Sequence, residues 1–404
     1  MSKQKILIIS HAMELGGAET ALLGLLETID TSRYDVDLFL LRHQGPLMDA
    51  IPPNIHLLPE QKAYASLAVP AKEVLRNGQP MVLAGRLAGK LLARWRTKKL
   101  HLSGETGIAL EYSHKYTVGI MPPIARKRYD LVVSFLTPHY FAAKKAFGQR
   151  KIAWIHTDYS TVSVDKASEL RMWAQYDRIA SISPQVTRSF LQAFPALADR
   201  MVEIENIMPT AYIQALVKAA PPVGMTSGKG FSLLSVGRFT SAKNFDNVPE
   251  ICRLLRADGL DVTWYLIGYG GEEALIRQKI QESGMEPYVK ILGKKENPYP
   301  YIQACDVYIQ PSRYEGKCVA VREAQMLGKP VIITNYPTSA SQLEDGVDGL
   351  IVPLDNEGCA AGIAAALRNP PLLARLSETC RRRDYSNAAE VEKIYALMEQ
   401  HHDL

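Results

Sequence analysis

The sequence of 404 residues contains no CxxC pair, no long apolar run and no GxxxxGK[ST] signature of a P-loop. Without paired cysteines, a zinc site or a dithiol redox centre is not expected. The five cysteines, an odd number without a secretory signal, are typical of reduced thiols in a cytosolic protein. The apolar run after Lys5 is too short for a signal peptide. We therefore expect a cytoplasmic protein that at most lies on the inner face of the cell membrane.

A strong charge of one sign is also lacking. The formal net charge is +5, which suits an anionic small ligand or an anionic surface but gives little support for nucleic-acid binding. Hydrophobic residues make up 47% and charged residues 22% of the chain, as in globular proteins. Because 404 residues are too many for one ordinary hydrophobic core, we expect two domains.

The first half begins with a pattern typical of a parallel α/β sheet. A short apolar run at Lys5–Ser10 is followed by a Gly-rich turn, a helical pattern at Thr20–Thr28 and a second strand at Tyr34–Leu41. This order is the βαβ opening of a doubly wound fold. Further strands are predicted at Leu131–Phe135, Lys151–Ile155, Arg178–Ser181 and Met201–Ile204.

The same alternation starts again after Pro209–Gly230, a stretch with little strand pattern that we interpret as the region joining two domains. The strands predicted beyond it are Phe231–Val236, Val262–Ile267, Val289–Leu292, Val307–Gln310 and Pro330–Thr334. The predicted architecture is two Rossmann-like domains, at 1–208 and 209–385, followed by a final helical segment at 386–404. A ligand is expected in a central cleft, at the carboxyl ends of the strands.

Residues 71–99 form a basic stretch with helical periodicity. It contains eight Lys or Arg residues against one acid, Glu73. Its apolar residues, spaced as on a helix, are Val82, Leu83, Leu87, Leu91 and Trp95, and the cations elsewhere on the helical wheel are Arg86, Lys90 and Arg94. Such a helix can lie in an anionic lipid interface. It can equally be a surface helix that packs its apolar face on the first domain.

Two short stretches contain residues suited to phosphate. The Gly-Gly-Ala turn at 16–18 precedes a predicted helix, whose backbone N–H groups and dipole favour an anion. Arg238 and Lys243 follow a predicted strand, where two cations can hold a diphosphate. Each stretch also has an ordinary explanation, as a tight turn and as surface cations. The full GxGxxG dinucleotide signature is absent.

Two glutamates eight positions apart, Glu315 and Glu323, flank another strand-to-helix junction. A carboxylate accepts two donors at once, which suits sugar and ribose hydroxyls, and Gly316 lets backbone N–H groups approach a ligand. Acidic residues are also common at helix N-termini for electrostatic reasons. His156 follows the strand Lys151–Ile155 and is expected to face the same cleft from the first domain.

Taken together, these motifs resemble the GT-B glycosyltransferases of family 4. The resemblance rests on GGAE at 16–19, VGR at 236–238 with Lys243, EGKCVAVREA at 315–324 and EDGVDGL at 344–350. It covers the second half and the start of the chain, whereas 45–125 matches poorly. It implies a retaining hexosyltransferase that uses a UDP-sugar or GDP-sugar, with no cofactor and no essential metal. The basic stretch, in turn, leads us to expect a saccharide acceptor that is lipid-linked, in cell-surface polysaccharide synthesis.

The resemblance also implies roles for individual residues. The diphosphate would be held by the turn at Gly16, Gly17 and Ala18 together with Arg238 and Lys243. Glu315 and the backbone from Gly316 through Lys317 and Cys318 to Val319 would hold the transferred hexose, Glu323 the ribose, and His156 would lie beside the reacting sugar. The residues proposed to act in catalysis are His156, Glu315, Arg238 and Lys243.

The sequence departs from this family at Lys317 and Cys318, where many relatives have an aromatic residue and a proline. Our hypothesis is that Lys317 bonds a sugar hydroxyl or the diphosphate, or favours an acidic or acylated sugar. Two other functions stay open: a GT-B epimerase acting on a nucleotide sugar, and a non-catalytic protein that binds one. The donor base, the donor sugar, the acceptor and the oligomeric state are not determined by the sequence.

Overall fold

The structure, a computed structural model, describes residues 3–102, 107–136, 139–219, 221–225 and 230–399. The chain forms two compact units. Unit 1 consists of Met1–Pro209 and Asn387–Leu404, and unit 2 of Thr210–Ser386.

Unit 1 is built on a parallel sheet which, in the part of the chain that the structure describes, has seven strands in the order β3-β2-β1-β4-β5-β6-β7. The strands are β1 Gln4–Ser10, β2 Tyr34–Leu40, β3 His56–Leu57, β4 Arg128–Ser134, β5 Phe147–Ile155, β6 Arg178–Ser181 and β7 Met201–Glu203. Its first helices are α1 Gly17–Thr28, α2 Lys62–Ala65, α3 Ala71–Arg76, α4 Pro80–Lys99, α5 Ile108–Thr117, α6 His139–Lys145, α7 Lys166–Trp173 and α8 Pro184–Ala193. The central strands are continuous apolar runs because helices cover the parallel sheet on both faces.

Unit 2 repeats this architecture with a parallel sheet of six strands among its described residues, in the order β10-β9-β8-β11-β12-β13. The strands are β8 Phe231–Val236, β9 Val262–Ile267, β10 Val289–Gly293, β11 Val307–Gln310, β12 Val331–Thr334 and β13 Leu350–Val352. The helices are α9 Thr210–Val217, α10 Val248–Ala257, α11 Glu273–Glu282, α12 Tyr299–Ala304, α13 Val319–Met326, α14 Ser339–Gln342, α15 Asn356–Leu367 and α16 Pro370–Arg382.

The final helix, α17 Val391–Glu399, belongs to unit 1 although it follows unit 2 in the chain. The ring of Tyr395 stacks on Tyr34 with centroids 4.4 Å apart, and its hydroxyl accepts a hydrogen bond of 2.8 Å from the Asp30 N–H. The turn before it is fixed by Glu390, which accepts a hydrogen bond of 2.9 Å from the Glu205 N–H. These contacts place the last helix on the first sheet, as the fold prediction requires.

Two Rossmann-like units and a final helix returning to the first confirm the predicted fold class. Within Pro209–Gly230, which we interpreted as the region joining two domains, α9 belongs to unit 2. The rings of Tyr212 and Tyr299 meet edge to face with centroids 6.5 Å apart, so α9 packs on α12. Residues 220 and 226–229 of that stretch lie outside the described residues.

The basic stretch forms two helices, α3 and α4, separated by a turn in which Gly78 has a φ of +70°. The buried residues of α4 are Val82, Gly89 and Ala93. A Cβ on Gly89 would meet the Tyr112 carbonyl oxygen at 2.7 Å, so only glycine allows this close approach to α5. Of the predicted apolar residues, Val82 is buried and Leu83 half-buried, whereas Leu87, Leu91 and Trp95 stay outside, with exposed fractions of 53%, 64% and 56%.

The cations of α4 divide into two groups. Arg86 is half-buried and donates hydrogen bonds of 2.6 Å and 2.7 Å to the carbonyl oxygens of Ser66 and Val69. Arg96 pairs with Asp165 at 2.7 Å. Lys90 and Arg94 are exposed beside the apolar row. Arg86 therefore stabilises the fold and does not belong to the outer basic face that the helical wheel predicts.

Candidate active site

Each sheet has a point at which the strand order reverses, and ligands of open α/β sheets bind there at the carboxyl ends of the strands. In unit 2 this point lies between β8 and β11, because the chain continues from β8 outwards to β9 and β10 and from β11 outwards to β12 and β13. In unit 1 it lies between β1 and β4. The loops that leave these four strands contain several of the predicted site residues.

Lys243 and Glu315 meet at the reversal point of unit 2. Lys243 lies beyond β8 and Glu315 beyond β11, and Nζ of the lysine is 2.5 Å from Oε1 of the glutamate. The Sγ of Cys318 lies 3.6 Å from the same ammonium. Burial alone would lower the pKa of Lys243, but Cys318 and Glu315 raise it above its usual value. The site therefore holds a fixed cation.

A chain of buried hydrogen bonds orients the Glu315 carboxylate. Ser312 Oγ donates to Glu315 Oε1 at 2.6 Å and accepts from Gln310 Nε2 at 2.9 Å. The hydroxyl of Tyr308 donates to Gln310 Oε1 at 2.8 Å. These three residues were not predicted from the sequence; the available signal was a run of polar side chains where an otherwise apolar strand ends.

The two loops that carry Lys243 and Glu315 are fastened to each other. The Arg313 guanidinium binds both carboxylate oxygens of Asp246, at 2.9 Å and 2.7 Å. Asn244 adopts the left-handed region with a φ of +59°, and its side chain donates to the Pro311 carbonyl oxygen at 2.9 Å. This bidentate pair and the buried amide contact hold the cation and the carboxylate in a constant relation.

The loop after β9 packs against the loop that follows β8 and carries Lys243. A Cβ on Gly268 would meet the Gly237 carbonyl oxygen at 1.9 Å, and one on Gly270 would meet the Phe239 carbonyl oxygen at 2.4 Å. Phe239 N–H donates to the Tyr269 carbonyl oxygen at 2.8 Å. Two glycines are needed because the backbones of the two loops pack directly on each other.

Glu323 occupies a different environment from Glu315. It is buried in α13, and its Oε1 accepts a hydrogen bond of 2.9 Å from the Tyr299 hydroxyl. Burial raises the pKa of Glu323 to about 7, with the Tyr299 hydrogen bond opposing that shift. The two glutamates therefore have separate partners and do not form a shared acid/base pair.

The remaining predicted residues of unit 2 lie around this pair. Arg238 is exposed, and within the described chain its guanidinium has no hydrogen bond or ion pair. A Cβ on Gly316 would meet no atom within 4 Å, so space is open beside it, and Lys317 is half-buried. The Cys318 N–H already donates to Gln342 Oε1 at 2.7 Å, whereas Val319 begins α13. Burial also raises the pKa of Cys318 to about 11, which keeps it a thiol.

In unit 1, residues 16–18 form the start of α1, as predicted. Gly16 is extended at the N-cap, with no side-chain cap, and its carbonyl oxygen accepts from the Thr20 N–H at 2.9 Å. A Cβ on Gly16 would collide with Oε2 of the Glu19 carboxylate, which lies beside this glycine. Gly17 is exposed and Ala18 half-buried. The helix N-terminus that the sequence predicts as an anion site is therefore present.

His156 follows β5 and lines a cavity of about 260 Å³ inside unit 1. Its ring bonds the backbone of Phe135, and its Nε2 is buried without a hydrogen-bond partner among the described residues. Burial lowers the pKa of His156 to about 4, so the ring is neutral near pH 7. Gly16, Gly17, Ala18 and His156 lie in unit 1, and the other predicted site residues lie in unit 2.

Within the described ranges, no group of three or more His, Cys, Asp or Glu side chains is arranged to hold a metal ion. All five cysteines are buried and free. Of the helices that the structure describes, none is both long enough and apolar enough to cross a membrane. That the reaction needs no metal and no cofactor stays a prediction.

Residues 223–383, which contain the Lys243–Glu315 pair and Glu323, match the family model for glycosyl transferases group 1. Unit 2 resembles group 1 glycosyl transferases. The segment that matches begins just before β8 and ends just after α16. It therefore includes the reversal point and both loops that carry the candidate site.

Two curated relatives are named as glycosyltransferases of polysaccharide synthesis. The amylovoran biosynthesis glycosyltransferase AmsK of Erwinia amylovora is 33% identical over 143 residues, which are 33% of this chain and 34% of that protein. The putative colanic acid biosynthesis glycosyltransferase WcaL of Salmonella typhimurium is 31% identical over 150 residues, 35% of this chain and 36% of that protein. The chain thus spans about a third of the length of these relatives.

Solved GT-B glycosyltransferase structures share the fold over the whole chain. HepE from Anabaena, in complex with UDP and glucose, has a TM-score of 0.63 at 17% identity and covers 98% of this chain and 100% of its own. TarM of S. aureus has a TM-score of 0.67 at 12% identity, with 99% of both chains covered. At these identities the likeness shows the GT-B fold alone.

The buried carboxyl of Glu323 predicts a pH dependence of stability. A glutamate ionises near pH 4.5 in the unfolded chain, whereas Glu323 keeps its proton to about pH 7 in the folded protein. The folded state binds more protons between these values, so its stability is full below pH 4.5 and falls as the pH rises towards 7. The raised pKa corresponds to about 3 kcal/mol at most.

Glu323→Gln keeps the acceptor for Tyr299 and cannot ionise, so it should reduce the loss of stability between about pH 5 and about pH 8. The free energy of unfolding, measured with urea at these two pH values, tests this expectation. The exposed Glu357 in the first turn of α15 provides the control, since Glu357→Gln should leave the pH dependence as in the parent protein. An unchanged slope in Glu323→Gln would show that the carboxyl ionises normally.

Proposed function

We propose that this protein is a retaining glycosyltransferase of family 4 that moves a hexose from a nucleotide diphosphate sugar, with UDP as the nucleotide, to a saccharide acceptor. The observation that carries the proposal is the Lys243–Glu315 pair at the reversal point of unit 2, inside the segment that matches group 1 glycosyl transferases. The names of AmsK and WcaL support a role in cell-surface polysaccharide synthesis. The UDP complexes of HepE support the nucleotide.

The donor is held by charge and by hydroxyl recognition. Arg238, exposed and unpaired within the described chain, binds the diphosphate directly, while Lys243 supplies a second positive charge and fixes Glu315. Glu323 uses Oε1 for Tyr299 and can accept a ribose hydroxyl at Oε2.

Transfer breaks the bond between the anomeric carbon and the diphosphate oxygen and forms a bond from an acceptor hydroxyl to the same carbon. The departing diphosphate takes the proton of that hydroxyl on the same face, which retains the configuration. Glu315 accepts from both Lys243 and Ser312 at Oε1, which orients the carboxylate and leaves Oε2 for a hydroxyl of the hexose, so its role in this proposal is to position the sugar. Rate enhancement then comes from orientation and from cations that stabilise the charge of the leaving diphosphate.

The acceptor is proposed to be lipid-linked, on the evidence of α4. Leu87, Leu91 and Trp95 form an exposed apolar row, flanked by the exposed cations Lys90 and Arg94. An apolar row with cations at its edge suits the boundary between acyl chains and anionic head groups. Since the inner side of α4 packs through small residues, this row is available to a peripheral membrane contact on the inner face of the cell membrane.

Nucleotide binding tests the donor half of the proposal. UDP should raise the melting temperature of the full chain, because a ligand at 100-fold its Kd adds about 2.7 kcal/mol of stability. Arg238→Ala should lose most of this shift, whereas Arg253→Ala, which removes a surface arginine paired with Glu250, should keep it. Stabilisation by neither UDP nor GDP, or an undiminished shift in Arg238→Ala, would contradict the assigned site. Release of UDP from UDP-sugars only with acceptor present distinguishes transfer from epimerisation.

A further inference from the structure

The cavity of about 260 Å³ in unit 1 lies between α5, α7 and the segment that follows β5. Much of its wall is apolar or aromatic, including Leu110, Val162, Val164, Met172 and Trp173. A cavity of about 260 Å³ has room for several water molecules. A space of this size admits one sugar ring or a comparable group.

Three buried polar atoms on residues lining this cavity have no partner among the described residues: Glu111 Oε2, Trp154 Nε1 and His156 Nε2. Buried polar groups are almost always hydrogen-bonded, and each one left without a partner is costly. The neighbouring polar groups are satisfied. Glu169 accepts from the Tyr159 hydroxyl at 2.7 Å and from Trp173 Nε1 at 3.3 Å, and Glu111 Oε1 accepts from the Tyr140 hydroxyl at 2.9 Å.

The charges around the cavity exclude several ligand classes. Its described lining residues include two carboxyl groups, on Glu111 and Glu169, and no lysine or arginine. A phosphate or other anion would therefore meet no compensating cation. Burial lowers the pKa of His114 and His139 to about 3, so these histidines are neutral as well. An ammonium ligand is also disfavoured, because it has no lone pair to accept from the Trp154 N–H.

The unpartnered atoms define a neutral ligand that both donates and accepts. Trp154 Nε1 can only donate, so it requires an acceptor on the ligand. His156 bonds the backbone of Phe135 through its ring, which in the neutral form leaves Nε2 to accept. An amide group supplies one carbonyl oxygen and one N–H, and its acyl methyl suits the apolar wall. Sugar hydroxyls alone would leave that wall without an apolar partner.

We propose that the cavity of unit 1 binds the acylamino group of an acceptor saccharide, with the amide carbonyl on Trp154 Nε1 and the amide N–H on Glu111 or His156. This inference rests on the proposed function, which it sharpens by naming an N-acylated amino sugar as the acceptor class. The cavity lies wholly within unit 1, apart from the segment that matches group 1 glycosyl transferases. We assign the acylamino group to the acceptor, and binding of the free N-acetylated glycoside, without a nucleotide, is the result that this assignment requires.

Saturation-transfer NMR titration of the full chain tests the proposal with methyl N-acetylglucosaminide and methyl glucoside as probes. The N-acetylated glycoside should bind saturably and at least about tenfold more tightly than the glucoside. Trp154→Phe keeps an aromatic ring and removes the N–H donor, so it should weaken binding of the N-acetylated glycoside about tenfold. Trp95→Phe, the same change at an exposed site on α4, should have no effect. Trp173→Phe removes an N–H that Glu169 already uses, so it should weaken binding less than Trp154→Phe.

Three results would each overturn the proposal. The first is equal affinity for the two glycosides, and the second is binding of UDP-N-acetylglucosamine without any binding of the N-acetylated glycoside. The third is unchanged binding of that glycoside by a folded Trp154→Phe variant. Should Trp154→Phe fail to fold, Glu111→Gln is measured instead, because it keeps the Oε1 acceptor for Tyr140 and removes the acceptor at Oε2. A thermal shift with UDP on the same samples separates the two hypotheses. A retained shift with no glycoside binding refutes the acylamino site alone, whereas loss of both refutes the proposed function too.

Discussion

Replacing Lys243 with methionine should lower the kcat/KM of sugar transfer by about 10²- to 10³-fold, the loss typical when one fixed electrostatic group is removed from an active site. In the free protein, Lys243 Nζ lies 2.5 Å from Glu315 Oε1, and their side chains are only 18% and 12% exposed. The substitution removes the positive charge near the leaving diphosphate and also releases the carboxylate that positions the hexose. Transfer is measured as UDP released in the presence of acceptor.

Stability must be separated from catalysis in this experiment. Removing one partner of a buried ion pair costs about 3–5 kcal/mol, because the remaining charge is left uncompensated. The double variant Lys243→Met, Glu315→Gln should regain much of that stability and stay inactive. Lys279→Met, at an exposed pair with Glu282 in the same unit, should keep full activity. Lys243→Met with more than half of the parent activity would show that the cation takes no part in transfer.

Introducing aspartate at Leu91 and Trp95 should weaken binding to anionic vesicles by about a hundredfold or more. Each large side chain contributes about 1.5–3 kcal/mol when it leaves water, and each new negative charge near an anionic surface costs about 1 kcal/mol. Both side chains lie outside the contact between α4 and α5, with exposed fractions of 64% and 56%, so the fold should be unaffected. Flotation with phosphatidylglycerol vesicles measures the effect.

Leu275→Asp is a control for introducing an aspartate at an exposed leucine, because Leu275 is 38% exposed on α11 and is not part of the apolar row of α4. It should leave flotation unchanged. Vesicles of phosphatidylcholine should recover less protein than anionic vesicles, since Lys90 and Arg94 border the row. Equal recovery with neutral and anionic lipid would remove the electrostatic part of the membrane proposal, and flotation of the double aspartate variant would remove the apolar part.

The sequence predicted α4 as an amphipathic helix but not the side on which it packs. Periodicity shows that Leu87, Leu91 and Trp95 share one face, and an apolar face is ordinarily the buried one. Here Gly89 brings α4 so close to α5 that the small residues form the contact. Which side of α4 is buried therefore depends on α5, and α5 lies in the region 45–125, where the sequence matches the glycosyltransferase family poorly.

Candidate site residues could be selected from the sequence where a residue follows a predicted strand. Lys243 and Glu315 could both be selected because a turn after a buried strand in a doubly wound sheet faces the ligand. Their pairing could not be predicted, because 72 residues separate them and the contact depends on β8 and β11 being neighbours. Tyr299 was missed for the same reason, since it reaches Glu323 from another helix.

By itself, the sequence determined the alternation of strands and helices, the two doubly wound units and the turns that carry Arg238, Lys243 and Glu315, because these features depend on local periodicity and turn chemistry. Only the tertiary structure decided that Lys243 pairs with Glu315, that Glu323 is buried against Tyr299, and that Trp154 and His156 line a cavity with unpartnered polar atoms. Those outcomes depend on burial and on contacts between distant residues. The charge and hydrogen bonding of each of these side chains therefore depend on neighbours that lie far away in the sequence.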